Sequence, residues 1–236
     1  MRLFRKLAVS ATFVASLSVI PYGSANAVPS CTGTPNLYAE GNYGGYFYGV
    51  QSTIVVGSVS APPPNNFTVQ HVYVGNGASG IDGLELGWFI GQGVSTFYTT
   101  PHFFASNFDL PGYSEQDGTS APPGSNYWYS TWWSGHQRYY RVDTTINGSI
   151  VWNSGSPQSS NASGPVPPNG SPVVGEEATK TSGLSPGASR FESIQYLQSN
   201  GSWSNWTFAP TLCANPNFVV SFGTSPYRVS TGGTTK

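Results

Sequence analysis

The acidic residues are few enough to search completely: Glu40, Asp82, Glu85, Asp109, Glu115, Asp117, Asp143, Glu176, Glu177 and Glu192. Two settings among them could do chemistry. Glu85 sits inside an apolar alternating stretch, between Leu84 and Leu86, with Gly87, Trp88 and Phe89 next. Alternation places Leu84, Leu86, Trp88 and Ile90 on one strand face, and Glu85, Gly87 and Phe89 on the other. A carboxylate flanked by a glycine has room for a ligand beside it. Glu176 and Glu177 close the run Pro172-Val173-Val174-Gly175. Successive strand residues point to opposite faces, so only one of them can share a groove with Glu85. Two carboxyls a few ångströms apart do not both ionise easily, and one keeps its proton. The ionised member can take a proton from water, and the protonated member can bind an oxyanion and then protonate a leaving group.

Each of these residues also has a plainer reading. Glu85 reads equally as a solvated outward residue of an ordinary strand, and Glu176 and Glu177 as charges at a strand end partnered by Lys180. Asp82, between Ile81 and Gly83, suits a turn, and Glu40 stands beside Gly41. Asp109, Glu115 and Asp117 fall in a turn-rich segment, and Asp143 shares a strand face with Arg141, with which it can pair. His71, His102 and His136 are widely separated, with no His-Glu-x-x-His helix and no obvious third ligand, so no metal and no cofactor are expected. There is no Gly-x-Ser-x-Gly elbow. The glycines between Gly75 and Gly83 lack the Lys-Ser/Thr ending of a phosphate loop.

These residues must be positioned by strands. Charged residues make up 8% of the chain and aromatics 14%, the reverse of a disordered composition. The 29 glycines and 19 prolines demand many turns and forbid long helices. Strands are expected at 51–59, 67–75, 84–90, 127–133, 137–145, 149–152, 173–181, 191–198, 202–208, 218–222 and 227–230, with Asn147-Gly148 turning a hairpin. Residues 157–172 read as an exposed loop. The fold class is all-β, an antiparallel two-sheet sandwich or jelly roll.

Residues 1–27 have the form of a secretory signal: Arg2, Arg5 and Lys6, an apolar run from Leu7 to Ile20, then Ala25-Asn26-Ala27. A single domain is expected over 28–236, with 28–41 an N-terminal arm or a short propeptide. Six Lys and Arg then face all ten acids, which suggests neither nucleic acid nor anionic lipid as partner. In an exported chain Cys31 and Cys213 are most simply a disulfide. By chain-entropy arithmetic it would contribute about 5 kcal/mol at most.

Several short motifs resemble a known family. Asn42-Tyr43-Gly44-Gly45, Thr53-Ile54-Val55-Val56, and Tyr73-Val74-Gly75 with Ile81-Asp82-Gly83 are similar to the opening of the eqolisin glutamic peptidases. Where those carry a catalytic glutamine, this chain has Leu84-Glu85-Leu86-Gly87-Trp88, which resembles the neprosin type with a second glutamate. Tyr127-Trp128-Tyr129-Ser130-Thr131-Trp132 is similar to an aromatic eqolisin strand, and Val174-Gly175-Glu176 to the strand carrying the catalytic glutamate. Tyr43 replaces the usual Trp, and the neprosin cysteine pattern is missing. The resemblance implies a sandwich of the concanavalin A type and a secreted, metal-independent acid endopeptidase. Its dyad would be Glu85 and Glu176, with Glu177 in reserve if the register slips by one. Trp88, Tyr127, Tyr129 and Trp132 would line a cleft for a polypeptide substrate, in a monomer. Two other readings use the same ingredients: a jelly-roll glycoside hydrolase acting on polysaccharide, and a non-catalytic lectin-like sandwich.

Overall fold

A computed structural model describes residues 31, 36–45, 47–57, 59–60, 64–75, 83–108, 114–134, 137–153, 155, 158–159, 170–179, 189–207, 209–215, 218–224 and 227–233. The signal-like segment, Asp82, His136 and Lys180 lie outside them. All regular structure among the described residues is β, in two antiparallel sheets. The front sheet uses β1 (Asn36–Asn42), β3 (Phe67–Gly75), β4 (Gly83–Gln92), β5 (Phe97–Asn107), β6 (Ser114–Ser120), β11 (Ser171–Thr179) and β14 (Thr211–Ala214). Their spatial order is β14-β1-β11-β3-β4-β5-β6.

The back sheet is built on β2 (Gly49–Val55), β7 (Asn126–Ser134), β8 (Gln137–Asp143), β9 (Ile150–Asn153), β10 (Gln158–Ser159), β12 (Ser189–Leu197), β13 (Trp203–Asn205), β15 (Phe218–Thr224) and β16 (Tyr227–Gly233). Its main path runs β10-β8-β7-β2-β12-β16-β15. The expected sandwich is therefore the observed one.

Alternation decides what lies between the sheets. Leu84, Leu86, Trp88 and Ile90 of β4 pack inward against Tyr129 and Trp133 of β7 and Ile54 of β2. The opposite face of β4 carries Glu85, Gly87 and Phe89, and a second, smaller apolar cluster of Val69, Phe89 and Phe104 covers part of it. Five strands escape the sequence reading: β1, β5, β6, β14 and β10, the last lying in the stretch 157–172 that reads as an exposed loop and whose end already belongs to β11. Glu115 and Asp117, expected in a turn-rich segment, stand on β6. Glu40 belongs to β1, a strand paired on both sides, with β11 and β14.

Candidate functional site

Register brings four ionisable residues of the front sheet together. His71 on β3 stands opposite Gly175 on β11 and Gly87 on β4. Glycine is required at 87, where a side chain would strike the backbone of Gln70 and His71. Two residue pairs along, Tyr73 partners Glu85, and two pairs the other way, Val69 partners Glu177. Glu85 and Glu177 thus flank His71 on a diagonal, on the same sheet face. Their carboxylate oxygens and a ring nitrogen of His71 all lie within 4.8 Å of one another.

His71 Nδ1 is 2.9 Å from Glu85 Oε1, and both side chains are buried. On the far side of Gly175, Glu40 lies opposite in β1. A side chain at position 175 would meet Glu40 Cγ at 2.7 Å, so the glycine makes the room that Glu40 occupies. Glu40 in turn pairs across β1 and β14 with Cys213, whose disulfide to Cys31 is formed.

The electrostatics follow from burial and proximity. Burial alone would pull the His71 pKa down. The charge of Glu85 and the bond it accepts, together with the charges of Glu40 and Glu177, outweigh that and hold it up to about 9, against 6.5 ordinarily. Glu40 is pushed up, mainly by burial and further by the charge of Glu85, while the charge of His71 pulls the other way. An imidazolium is thus held, buried, between carboxyls on that same sheet face.

Above it opens a cleft of about 870 Å³, lined by Glu85 and Glu177 with Val69, Phe89, Phe104 and Glu115 among others. Its lining brings the acidic groups Glu85, Glu115 and Glu177 together with the rings of Phe67, Phe89, Phe104 and Phe108. His71 is itself 3% exposed and is not among the residues that line the cleft. His71, Glu85 and Glu177 form a donor set of a size that could hold a divalent cation, in place of the ion pair. The reading of the three histidines as lacking further ligands is corrected here for His71, because the partners come from other strands.

The residues singled out from sequence are not all assembled at this cleft. Glu176, named as the second acid, projects to the opposite face of β11 and is wholly buried between the sheets. Glu177, the reserve, is the carboxylate that shares a face and a cleft with Glu85. Trp88 and Tyr129, expected along the cleft, are core residues at 0% exposure, and Tyr127 packs against that core. Trp88 follows Glu85 by three, an odd offset that sends it to the other face.

Trp132 lies on the outer face of the back sheet, stacked on Tyr139 at 4.9 Å. There it borders a separate hollow with Tyr48 and Trp203. The sequence reading missed the aromatic wall formed by Phe89 and Phe104, and it missed His71 and Glu40. The parity of β3 was a usable signal, since it set His71 opposite the core residues Val72 and Val74.

No protein-family model matches the chain, and no curated protein sequence matches it. Solved structures do. Scytalido-glutamic peptidase, solved with a peptide-based transition state analog, superposes with a TM-score of 0.56 at 15% identity, covering 84% of this chain and 98% of that one. SCP-B, an eqolisin solved with the tripeptide Ala-Ile-His, gives 0.52 at 14% identity, covering 84% and 98%. At such identity the likeness is one of fold: this chain is a two-sheet β-sandwich similar to that of the glutamic peptidases.

Proposed function

We propose that this protein is an exported, metal-independent endopeptidase in which Glu85 and Glu177 activate water against a peptide bond. The observation that carries this reading is the convergence of the two carboxyls, within 4.8 Å, in the lining of one cleft. The likeness in fold to glutamic peptidases agrees with it. So do the disulfide, which fits an oxidising compartment, and the signal-like first 27 residues.

The chemistry balances with two carboxyls holding one proton. The carboxylate takes a proton from water as the water oxygen bonds to the carbonyl carbon. The carbonyl π pair moves onto oxygen, where the neutral carboxyl donates a hydrogen bond to it. Collapse re-forms the C=O bond and breaks the C–N bond, and the nitrogen takes the proton of the second carboxyl. A carboxylic acid and an amine leave, and proton transfer across the pair restores the starting state. The aromatic wall of Phe89 and Phe104 would seat an apolar side chain of the substrate.

The test is cleavage of a mixed peptide library between about pH 3 and 7 with EDTA present. Wild type is run beside Glu85→Gln and Glu177→Gln. Acid-pH cleavage that survives EDTA and is lost in both variants, with circular dichroism unchanged, is expected. Loss of activity to EDTA would instead make the cluster a metal site. Hydrolysis of polysaccharide without peptide cleavage would transfer the cleft to glycans.

A further inference from the structure

The outer face of the back sheet carries aromatic rings that the peptide cleft does not use. Trp132 borders a hollow of about 510 Å³ there, a volume in the range of small-molecule sites, about 300–1,000 Å³. Three half-buried rings line it: Trp132 of β7, Trp203 of β13, and Tyr48 just before β2. Trp132 is stacked on Tyr139 with ring planes 5° apart, and Trp203 meets it at 81°. Gly49 of β2 stands opposite Trp132, where a side chain would strike the Trp132 Cβ. Packing holds these rings in set planes without taking them into the core.

Polar groups complete the hollow. Among the described residues that line it none is charged, and Ser134, Gln198 and Ser199 supply hydroxyls and a carboxamide. Gln198 Nε2 donates to Ser204 Oγ at 3.0 Å, which fixes that carboxamide. A row of hydrogen bonds runs alongside. Trp128 Nε1 and Ser130 Oγ donate to Gln51 Oε1, Gln51 Nε2 donates to Gln195 Oε1, and Gln195 Nε2 donates to Asn205 Oδ1. The row ends on exposed Asn205, two residues past Trp203 on the same face of β13. Its oxygen is committed to that row, so what Asn205 brings to a ligand is its N–H donors.

These features select a ligand class. A pyranose ring carries C–H groups that pack on an aromatic face, and its hydroxyls both give and accept hydrogen bonds, as carboxamides and hydroxyls do. An uncharged lining gives a phosphate, a uronic acid or a basic side chain nothing to pair with. An extended peptide meets a different obstacle. Strands β2, β7 and β12 are each paired on both sides, so they offer it no backbone edge.

We propose that this hollow binds a neutral oligosaccharide or a segment of a neutral polysaccharide, with Trp132 and Trp203 as stacking surfaces and Gln198 and Asn205 as hydroxyl partners. The cleft belongs to the other sheet and shares no lining residue with it. A glycan held here leaves the cleft open to its own substrate.

The test is binding of the whole protein to an array of neutral and acidic oligosaccharides, followed by isothermal titration with the neutral glycan bound best. Binding to neutral glycans is expected, with affinity unchanged between about 50 and 500 mM salt, because no ion pair is there to be screened. Trp132→Ala and Trp203→Ala should each weaken it by about tenfold or more, as loss of an aromatic anchor does. Glu85→Gln and Glu177→Gln should leave it within about twofold of wild type, since distant sites act independently. Should Trp132→Ala fail to fold by circular dichroism, Trp203→Ala carries the test.

Absence of binding to every neutral glycan overturns the proposal, as does binding that the folded tryptophan variants retain. A preference for acidic glycans overturns it too. Binding lost in the glutamate variants and kept in the tryptophan ones would place the glycan in the cleft instead. Peptide cleavage has no bearing on any of these outcomes, so this site and the peptidase reading stand or fall apart.

Discussion

His71 Nδ1 and Glu85 Oε1 lie 2.9 Å apart, with side chains 4% and 8% exposed, on neighbouring strands beside a cleft. A buried pair of this kind is costly to break from one side, because the remaining charge is left without a partner. Its ionisation therefore reaches beyond the site into the stability of the whole sandwich.

The first prediction concerns pH and stability. The folded pKa of His71 is raised from 6.5 to about 9. A group whose folded pKa is raised contributes its full stabilisation below the unfolded value and loses it as pH rises through the folded one. Stability should therefore fall between about pH 6.5 and 9, by up to about 3 kcal/mol. Glu40, also raised, acts in the same direction and favours the acid side. Urea midpoints measured across this range should decline, and a His71→Gln variant should show a flatter curve. An equal slope in both would count against the buried ion pair.

The second separates adjacent glutamates. Glu177→Gln should lower kcat/KM by about 100-fold or more, the range typical of a lost proton-transfer group. Glu176→Gln, whose side chain lies between the sheets, should alter the melting temperature and leave kcat/KM of the folded protein within about threefold of wild type. Steady-state kinetics on both variants decide which face of β11 holds the acid. The reverse pattern would put the acid at Glu176.

A third prediction follows from Gly87. A methyl group there would be driven into the backbone of Gln70, which cannot move aside as a flexible side-chain tip can. Gly87→Ala should destabilise the protein by about 1–3 kcal/mol and displace β4 from β3. Activity should fall with it, because Glu85 is two residues away on the same strand. Chemical denaturation and kcat/KM on one preparation would show whether the two losses occur together.

The fourth tests the disulfide. It joins Cys31 to Cys213 over a separation of 182 residues, so the unfolded chain is strongly constrained. Replacing both cysteines by serine should cost about 2–5 kcal/mol. Since Cys213 pairs with Glu40 across β1 and β14, the same change should loosen the support behind His71. Thermal melts with and without reductant should therefore differ for wild type and coincide for the double variant.

The parts of this fold that a linear reading could see were those with a one-sided pattern. Phe67–Gly75 is recovered to the residue, and β8 and β9 do form a hairpin, although only Asn147 (φ 57°) of the Asn-Gly pair takes positive φ, in a longer loop closed by Gly148 N–H on the Thr145 carbonyl. The unread strands lack that signature. The sequence of β6, Ser-Glu-Gln-Asp-Gly-Thr-Ser, is polar throughout because it is an edge strand with largely exposed positions. In β5, Pro101 coincides with a register shift against β4, so the period breaks where it would be counted.

The site failed to show for a related reason. Val173 and Val174 are both buried, and Gly175 has no side chain, so nothing before the two glutamates reports which face either occupies. His71 meets Glu85 only through the β3–β4 register, and Glu40 meets His71 only through β11. Neither relationship is written in local spacing.

Strand order also acts as a clock. β3 and β4 are consecutive and can pair early, setting His71 beside Glu85 while much of the chain has yet to be made. The second acid waits for β11, and the strand bearing Glu40 waits longer still, because β1 finds its partners only in β11 and β14. Pairings so distant in sequence form slowly. On the proposed reading, a chain with this topology would complete its cleft only when nearly all of it has been synthesised and joined end to end, so the cleft would stay silent through most of its own making.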